Sequence, residues 1–514
     1  MPDAARQLAP SAPLPPALLA EIQQDWRLQE YDRSLARMEA HWRADPQDPV
    51  RSLHYATILG HCSRFSLARA LLDELVRAAA PSRRLWALGS AGVACCDFQR
   101  FDWASGYMQQ AAMEPSPPPA VFHRWAEALE RLNRLPEARA ALAEGQSRFP
   151  AHPGLKLMAA RIARRDGDVE SAERQARDVV AMLEASSETR CQAGYELGHA
   201  LDSQDRCDEA YAAFLAAKEI QQPQAMMFEA MWRSRVAHMR SGDNLPTAAE
   251  FRQWAQIRPR TPRRHAFLVG CPRSGTTLLE RMLGSHPGLA SSSESAVWHS
   301  AVWMPLLREC GHASSMRAVL AAMRPRQVDA GRDRYWQGIA QTVDGDIGDR
   351  LLLDKNPSIL SMLAGAVRLF PEASVLVALR DPRDIVWSCF TQALPINAGT
   401  AAFTRLESTA EQVSAELEGW LQLRPRLATP WLEVRYEAMV RNPESGMRRA
   451  LSFLGVPWSE SVLAFHQRSD MVRSPTYAAA SQPVHQRSIG RWRRYPALFE
   501  PLERQLGKAI RELE

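Results

Sequence analysis

The stretch that decides the fold class of the second half of the chain reads Ala266-Phe267-Leu268-Val269-Gly270-Cys271-Pro272-Arg273-Ser274-Gly275-Thr276-Thr277. Its apolar start is typical of a buried strand, and the apolar residues after the glycines recur at helical spacing. Strand, glycine loop and helix in this order predict a phosphate loop, in which backbone N–H groups at a helix start point at an anion. Glycine in such a loop lets the backbone approach the anion closely.

The loop departs at one position from the nucleotide-triphosphatase pattern G-x-x-x-x-G-K-[ST]. Gly270, Gly275 and Thr277 match, but Thr276 stands where the pattern has lysine. A kinase or ATPase uses that lysine on the transferred phosphate. Here the positive charge comes from Arg273, whose planar guanidinium suits an oxyanion. A phosphoryl-transfer enzyme is therefore disfavoured, and it would reveal itself by magnesium-dependent ATP turnover.

A second strand-to-helix segment carries another arginine. The apolar run 375–379 is followed by Arg380 and, eight residues later, by Ser388. An arginine at the strand end and a serine in the next helix can close on one phosphate from two sides. The alternative is a structural ion pair of Arg380 with Asp381 or Asp384.

Both segments resemble the sulfotransferase family, the first its 5′-phosphosulfate loop and the second its 3′-phosphate motif. The resemblance covers about residues 264–512. It implies that 3′-phosphoadenosine 5′-phosphosulfate (PAPS) is the donor substrate, because ATP lacks a 3′-phosphate, and that no metal is needed. The implied donor-binding residues are Arg273, Ser274, Gly275, Thr276 and Thr277 at the 5′ end, with Arg380 and Ser388 at the 3′-phosphate.

Two polar sites between these motifs resemble the tyrosylprotein sulfotransferase branch. They are S-E-S around Glu294 and L-D-K-N-P around Lys355. The resemblance implies that Glu294 is a buried general base, which takes the proton in concert with transfer, and that Lys355 stabilises the moving sulfonate together with Arg273. Small-molecule sulfotransferases use histidine instead, which leaves His286 and His299 as alternatives.

Three further resemblances lie towards the C-terminus. The sequence V-R-Y-E resembles the strand whose tyrosine, here Tyr436, helps to hold the nucleotide. The sequence S-I-G-R-W-R resembles a loop that folds over the donor, with Trp492 near the adenine and Arg493 available for phosphate, although the full family pattern is not reproduced. Ser474 resembles a serine that contacts the sulfonate. The alternatives are core packing for Tyr436 and a solvated basic turn for the loop.

The first half of the chain contains a repeat of an apolar residue followed three positions later by a small one. Successive small residues lie 34, 36, 34, 34 and 38 positions apart, which is the spacing of tetratricopeptide units. The pairs are Tyr31/Ser34, Phe65/Ala68, Phe101/Ala104, Leu135/Ala138, Val169/Ala172 and Cys207/Ala210. Prolines in phase with this repeat are predicted to end the second helix of each pair: Pro46, Pro81, Pro115, Pro150 and Pro223. Chance spacing in an Ala-rich helical region is the alternative.

Composition is that of a soluble globular protein. Of 514 residues, 46% are hydrophobic and 24% charged, and the net charge of +5 is far from that of a dedicated nucleic-acid binder. The eight cysteines are scattered, which favours reduced thiols. Without a signal-peptide or transmembrane pattern, a cytoplasmic location is expected.

We therefore expect an α plus α/β protein: an all-α tetratricopeptide solenoid and a P-loop-like α/β domain with a mainly parallel sheet. The expected boundaries are a flexible N-terminus at 1–16, the array at 17–245, a basic linker at 246–264 and the sulfotransferase domain at 265–514. The linker contains Arg258, Arg260, Arg263 and Arg264. The expected reaction is sulfonate transfer to a hydroxyl acceptor, first a protein tyrosine, with the array recruiting the acceptor or a protein partner. A phosphotransferase and an inactive repeat scaffold are the alternatives.

Overall fold

The computed structural model describes residues 14–27, 30–256, 263–310, 315–343, 346–467 and 482–513. Most of the predicted flexible N-terminus, together with Arg258, Arg260 and Ser474, lies outside these residues. The chain divides into two compact units between Pro223 and Gln224. Every helix in the described ranges is too short or too polar to cross a membrane.

The first unit is entirely helical over its described residues. Its helices are α1 (Pro16–Arg27), α2 (Tyr31–Arg43), α3 (Pro49–His61), α4 (Phe65–Ala78), α5 (Arg84–Asp97), α6 (Phe101–Met113), α7 (Pro119–Arg131), α8 (Leu135–Arg148), α9 (Pro153–Asp166), α10 (Val169–Ala181), α11 (Ser187–Ser203) and α12 (Cys207–Met226). Consecutive helices pack against one another along the chain. The predicted N-terminal helical stack is confirmed, while its assignment as a tetratricopeptide array stays a prediction.

The sequence repeat coincides with alternate helices. Each apolar residue of the six pairs is the first residue of a helix, from Tyr31 in α2 to Cys207 in α12. Each small partner is fully buried. A small side chain at that point lets the neighbouring helix approach closely, so the repeat reflects packing between helices.

A left-handed residue lies two positions before five of these helices. The five are Ser63, Gln99, Asn133, Gly167 and Asp205, with φ between 60° and 84°. Such a residue turns the chain sharply, and Gly, Asn and Asp adopt this conformation most readily. The same turn therefore precedes each of these five helices, although the residue type at the turn differs.

The proline pattern holds at four of its five positions. Pro46, Pro81, Pro115 and Pro150 each follow the end of a helix. The prediction for Pro223 is wrong, because α12 continues through it to Met226. Proline removes one backbone donor and crowds the preceding turn, but only the last turn of a 20-residue helix is affected.

The second unit contains a sheet flanked by helices. Its strands are β1 (His265–Gly270), β2 (Leu289–Ser291), β3 (Leu351–Lys355), β4 (Ser374–Leu379) and β5 (Trp431–Arg435). Its helices are α13 (Glu229–Arg240), α14 (Ala248–Ala255), α15 (Thr276–Gly284), α16 (Met304–Glu309), α17 (Met316–Ala322), α18 (Pro325–Ile339), α19 (Leu363–Leu369), α20 (Pro382–Phe390), α21 (Leu406–Leu423), α22 (Tyr436–Arg441), α23 (Pro443–Phe453), α24 (Pro496–Phe499) and α25 (Glu503–Leu513). A π-helical turn spans Trp298–Trp303.

The strand order is β2-β3-β1-β4-β5, and every pairing is parallel. Ala266 and Leu268 of β1 pack in a core with residues of α15, α22 and α23. On the alternate face, His265 and Phe267 contact the aromatic ring of Tyr335 from α18. Helices therefore cover both faces, as expected for a parallel sheet, and the predicted α/β fold is confirmed.

The interval predicted as a linker contains a helix. α14 begins with a capping box in which Thr247 and Glu250 each bond the other's backbone N–H. Its Phe251 and Trp254 are buried, and the guanidinium of Arg368 lies 4.8 Å from the Trp254 ring. The linker prediction rested on the Arg- and Pro-rich residues that follow this helix. The second unit also includes α13, which falls within the predicted array.

Candidate functional site

The predicted site residues gather at one edge of the sheet. Because all five strands are parallel, their carboxyl ends meet at the same edge. The phosphate loop follows β1, Glu294 follows β2, Lys355 ends β3, Arg380 follows β4 and Tyr436 follows β5. Topology therefore brings together residues as far apart in the chain as Arg273 of the phosphate loop and Tyr436, which are separated by 163 positions.

The phosphate loop requires its second glycine. Gly275 has φ +99°, and a Cβ there would lie 2.6 Å from the ring of Tyr436. Arg273 is left-handed too, with φ 71°, which is uncommon for a residue with a side chain. The loop thus holds a backbone shape that its sequence does not favour locally, as is common at binding sites.

The loop leads into the N-terminus of α15, where free N–H groups and the helix dipole favour an anion. Thr276 and Thr277 are buried at this helix start. Ser274 is also buried, and its Oγ has no hydrogen-bond partner among the described residues. A buried hydroxyl without a partner fits a loop that completes its hydrogen bonding with a ligand.

The two phosphate motifs are in direct contact. Arg273 donates from Nε to the Oγ of Ser388 over 3.0 Å and from Nη2 to the Oε1 of Gln392 over 3.0 Å. Arg380 donates from Nη1 to the carbonyl of Arg273 over 3.0 Å and from Nη2 to the carbonyl of Ser488. Its buried Nε has no hydrogen-bond partner in the described part of the chain. One donor of Arg380 therefore stays available to an anion.

The alternative interpretation of Arg380, a structural ion pair with Asp381 or Asp384, is represented only by one long contact. Its Nη2 lies 3.8 Å from Oδ2 of Asp384, and Asp381 pairs instead with Arg383 at 2.8 Å. Burial lowers the pKa of Arg273 to about 10, and the cations Arg380 and Arg491 act in the same direction. Several cations share this pocket, as a polyanionic ligand would require.

Lys355 faces two carboxylates. Its side chain is fully buried, and its Nζ pairs with Oε1 of Glu294 and lies 3.4 Å from Oε2 of Glu280. Burial by itself would lower the pKa of Lys355, but Glu294 and Glu280 outweigh burial and raise that pKa above its ordinary value. Lys355 is therefore held as a cation at the sheet edge.

Glu294 is held by its backbone and not by burial. It has φ 46°, and its N–H donates to the carbonyl of Lys355 over 2.8 Å. Asn356 adds a bond from its side chain to the carbonyl of Ser295 over 2.9 Å. The expectation of a buried carboxylate is wrong, since the Glu294 side chain is 35% exposed. An exposed carboxylate can meet an acceptor that arrives from solution.

A buried network lies beneath this pair. Asp354 accepts hydrogen bonds from Ser292 Oγ at 2.8 Å and from Tyr335 Oη at 2.7 Å, and Tyr335 is bonded to His265 Nε2 at 2.8 Å. Burial raises the pKa of Asp354 to about 6. The network fixes the segment before Glu294 against β3.

Three further residues were predicted to bind the donor substrate, and the structure places them in different surroundings: Tyr436, Trp492 and Arg493. Tyr436 is the first residue of α22, not part of the strand, and the guanidinium of Arg380 lies 4.8 Å from its ring. Trp492 stacks under Arg383, whose guanidinium lies 4.1 Å away. Arg493 is exposed and lies 5.7 Å from the Trp492 ring. The structure thus brings Tyr436 and the C-terminal loop to the site, with Arg493 on its outside.

The histidine alternatives are unsuited to act as base. Both ring nitrogens of His286 bond the backbone: Nδ1 accepts from the N–H of Gly288 at 2.9 Å, and Nε2 lies 2.9 Å from the carbonyl of Pro457. Burial lowers the pKa of His299 to about 4. Both nitrogens of His286 are thus engaged, and the lowered pKa makes His299 a weak base.

The sequence alone assigned no role at the site to four polar residues that the structure places there. Glu280 lies within α15 and Gln392 follows the end of α20. Asp384 accepts hydrogen bonds from the N–H groups of Gly490 at 2.6 Å and Trp492 at 3.3 Å. Arg491 lies in the C-terminal loop. The available signal was a charged residue on the apolar side of a helix, since Glu280 sits between Leu279 and Met282.

The fold and the site define a parallel α/β domain with a phosphate loop and a cluster of cationic side chains at the carboxyl edge of its sheet. Residues 266–460 match the model of the sulfotransferase family. This part of the chain is therefore similar to the sulfotransferase family, as the sequence motifs predict.

The chain is also similar to individual proteins. Protein-tyrosine sulfotransferase 1 of Danio rerio is 27% identical over 227 residues, which cover 44% of this chain and 61% of the relative. An uncharacterized protein of Aquifex aeolicus is 22% identical over 433 residues, covering 77% of this chain and 56% of the relative. The sulfotransferase domain of the Synechococcus PCC 7002 olefin synthase matches with a TM-score of 0.35 and 23% identity, covering 50% of this chain and 96% of that domain. The chain spans less than two thirds of the length of the first two relatives.

Proposed function

We propose that this protein transfers the sulfonate group of PAPS to a hydroxyl acceptor. The observation that carries the proposal is the joint placement of Arg273, Arg380 and Lys355 at the carboxyl edge of the sheet, with Glu294 beside Lys355. Three cations with one carboxylate suit the transfer of an anionic group from a polyanionic donor.

The residues of the donor pocket fit PAPS. The helix N-terminus and the unpartnered Oγ of Ser274 suit the 5′-phosphosulfate. The unpartnered Nε of Arg380 and the hydroxyl of Ser388 suit the 3′-phosphate. Thr276 at the lysine position of nucleotide triphosphatases speaks against ATP as the donor.

The reaction then follows from the positions of Glu294 and Lys355. The acceptor oxygen forms a bond to sulfur while the bond between sulfur and the 5′-phosphate oxygen breaks. The electron pair of the broken bond stays on the leaving 3′,5′-adenosine bisphosphate, and the hydroxyl proton moves to Glu294. Lys355 stabilises the negative charge that shifts onto the departing oxygen.

A protein tyrosine is the first acceptor to test. The support is the similarity to the Danio rerio relative, which is a protein-tyrosine sulfotransferase. We also infer that the helical stack recruits the acceptor or a protein partner, since stacked helical repeats present extended binding surfaces. A cytoplasmic location is part of the same proposal.

The donor is tested by calorimetric titration of the full chain with 3′,5′-adenosine bisphosphate, 5′-AMP and ATP. Clear preference for the bisphosphate supports the donor assignment. Equal affinity for 5′-AMP, or magnesium-dependent ATP turnover, would replace it with the phosphotransferase. No binding of any nucleotide would favour the inactive scaffold.

The transfer step is tested with radiolabelled donor and an acidic tyrosine peptide, the matching phenylalanine peptide serving as blank. Glu294→Gln should lower kcat by on the order of 10²-fold or more and leave bisphosphate affinity within about twofold, because donor binding rests on other residues. Glu433→Gln is the matched control, since Glu433 lies within β5 and accepts hydrogen bonds from Arg424 at 3.0 Å and from Trp420 Nε1 at 2.8 Å, neither of which belongs to the proposed site. Full activity of Glu294→Gln would overturn its role as base.

A further inference from the structure

Glu280 connects three segments of the transfer site. It lies in α15, five residues after Gly275, and its side chain is 8% exposed. It accepts hydrogen bonds from Ser291 Oγ at 2.7 Å and Ser293 Oγ at 3.2 Å, and its Oε2 lies 3.4 Å from the Nζ of Lys355. The helix of the phosphate loop is thereby tied to the segment of Glu294 and to β3.

The two carboxylates that face Lys355 differ in access. Glu280 is enclosed, whereas the Glu294 side chain is 35% exposed. The remaining nearby acid, Asp354, bonds Tyr335 and Ser292. The charged groups around the Lys355 ammonium are therefore one closed carboxylate from α15 and one open carboxylate from the segment after β2.

This difference matters once a proton moves. When Glu294 accepts the proton of the acceptor, its negative charge is lost. A fully buried ammonium with no counter-charge is strongly unfavourable and would release its own proton. The carboxylate of Glu280 can supply the counter-charge at that moment, because it lies 3.4 Å from the Nζ of Lys355 and its side chain is only 8% exposed.

We propose that Glu280 is a positioning residue that keeps Lys355 charged and in place while Glu294 takes the acceptor's proton. The inference rests on the proposed sulfonate transfer and adds a third side chain to it. Glu280 acts through Lys355 and does not itself touch the substrate.

The test compares Glu280→Gln with wild type and with Glu433→Gln in the peptide assay, across pH 6 to pH 10. For Glu280→Gln we expect kcat to fall by on the order of 10²-fold, with KM for the donor within about twofold. The alkaline limb of the kcat profile, where Lys355 loses its proton, should move to lower pH. Glu433→Gln should have the same kcat and the same alkaline limb as wild type.

The outcomes separate this inference from the proposed function. A wild-type protein without transfer activity would refute the proposed function, and this inference with it. An active wild type together with an unaltered kcat and alkaline limb in Glu280→Gln would overturn the role of Glu280 alone.

A second variant covers a folding defect. If Glu280→Gln does not fold, the double variant Glu280→Gln, Lys355→Met is measured by thermal unfolding. Recovery of a wild-type-like Tm would show that the buried charge of Lys355 needs Glu280 in addition to Glu294, which supports the inference. Lack of recovery would mean that Glu280 serves only to hold the serine hydroxyls, and the inference would be wrong.

Discussion

Arg273 donates a hydrogen bond from Nε to the Oγ of Ser388 over 3.0 Å, and this bond joins the loop after β1 to the helix after β4. Arg380 strengthens the junction through the carbonyl of Arg273. The groups proposed for the two ends of the donor thus belong to one network. A change at the 3′ side should therefore be felt at the 5′ side as well.

Arg380→Ala should weaken binding of 3′,5′-adenosine bisphosphate by about 10- to 100-fold, the loss expected for a hydrogen bond to a charged group. Ser388→Ala should weaken this binding by about tenfold at most, because it removes only a neutral hydroxyl as hydrogen-bond donor. Calorimetry checks both, with 5′-AMP as the comparison ligand. Arg448→Ala, whose side chain is 51% exposed, should leave binding unchanged. Equal losses for the bisphosphate and 5′-AMP would contradict a contact with the 3′-phosphate.

Asp384→Ala should loosen the C-terminal loop. The Asp384 carboxylate accepts from the N–H groups of Gly490 and Trp492, so its removal leaves both amides without this partner. Hydrogen exchange measured by mass spectrometry should speed up over residues 488–494, while β1 keeps its wild-type protection. Unaltered exchange in the loop would mean that the stack of Arg383 on Trp492 holds it without help.

The sequence predicts the local parts of this site well. A strand, a glycine loop and a helix follow one another directly, so Arg273 and Gly275 could be placed without knowing the rest of the fold. Arg380 and Ser388 lie eight residues apart on one strand-to-helix segment, and the structure places them accordingly. Parallel pairing then brings the strand ends together, which requires only that the sheet be parallel.

What escaped prediction depends on contacts distant in sequence. Glu280 reads as a surface charge on α15 until Lys355, 75 residues later, is placed beside it. The anchor at Asp384 is similar, because its partners lie more than 100 residues away. The prediction for Pro223 was wrong for the opposite reason. The local rule that proline ends a helix was outweighed by the stability of α12, which continues through Pro223.

Gly275→Ala should destabilise the second unit by at least about 1–2 kcal/mol, the typical cost of a left-handed residue with a side chain. The new Cβ would also lie 2.6 Å from the ring of Tyr436, which must then move. Gly419→Ala is the control in α21, because its Cβ would make only an ordinary 3.5 Å contact with the carbonyl of Met239. The control should be neutral or stabilise the helix by up to about 1 kcal/mol. Urea unfolding measures both, and equal effects would contradict the strained loop.

Asp354→Asn should change how stability depends on pH. Burial raises the pKa of Asp354 from 3.8 to about 6, so the folded state binds this proton more tightly than the unfolded state does. The resulting stability is fully present below about pH 4 and is lost as the pH rises through 6, an amount of about 3 kcal/mol for a shift of roughly two units. Asparagine does not titrate, and it can still accept from one hydroxyl and donate to the other.

The measurement is the free energy of unfolding of wild type and Asp354→Asn in urea at pH 4.5, 5.5, 6.5 and 7.5. From pH 4.5 to pH 7.5, the free energy of unfolding of Asp354→Asn should rise relative to that of wild type by about 2–3 kcal/mol. Tyr335→Phe provides a check, because it removes a hydrogen bond to the charged carboxylate while leaving the carboxyl free to titrate. A constant difference between wild type and Asp354→Asn would mean that Asp354 stays ionised in the folded protein, with Tyr335 and Ser292 compensating for its burial.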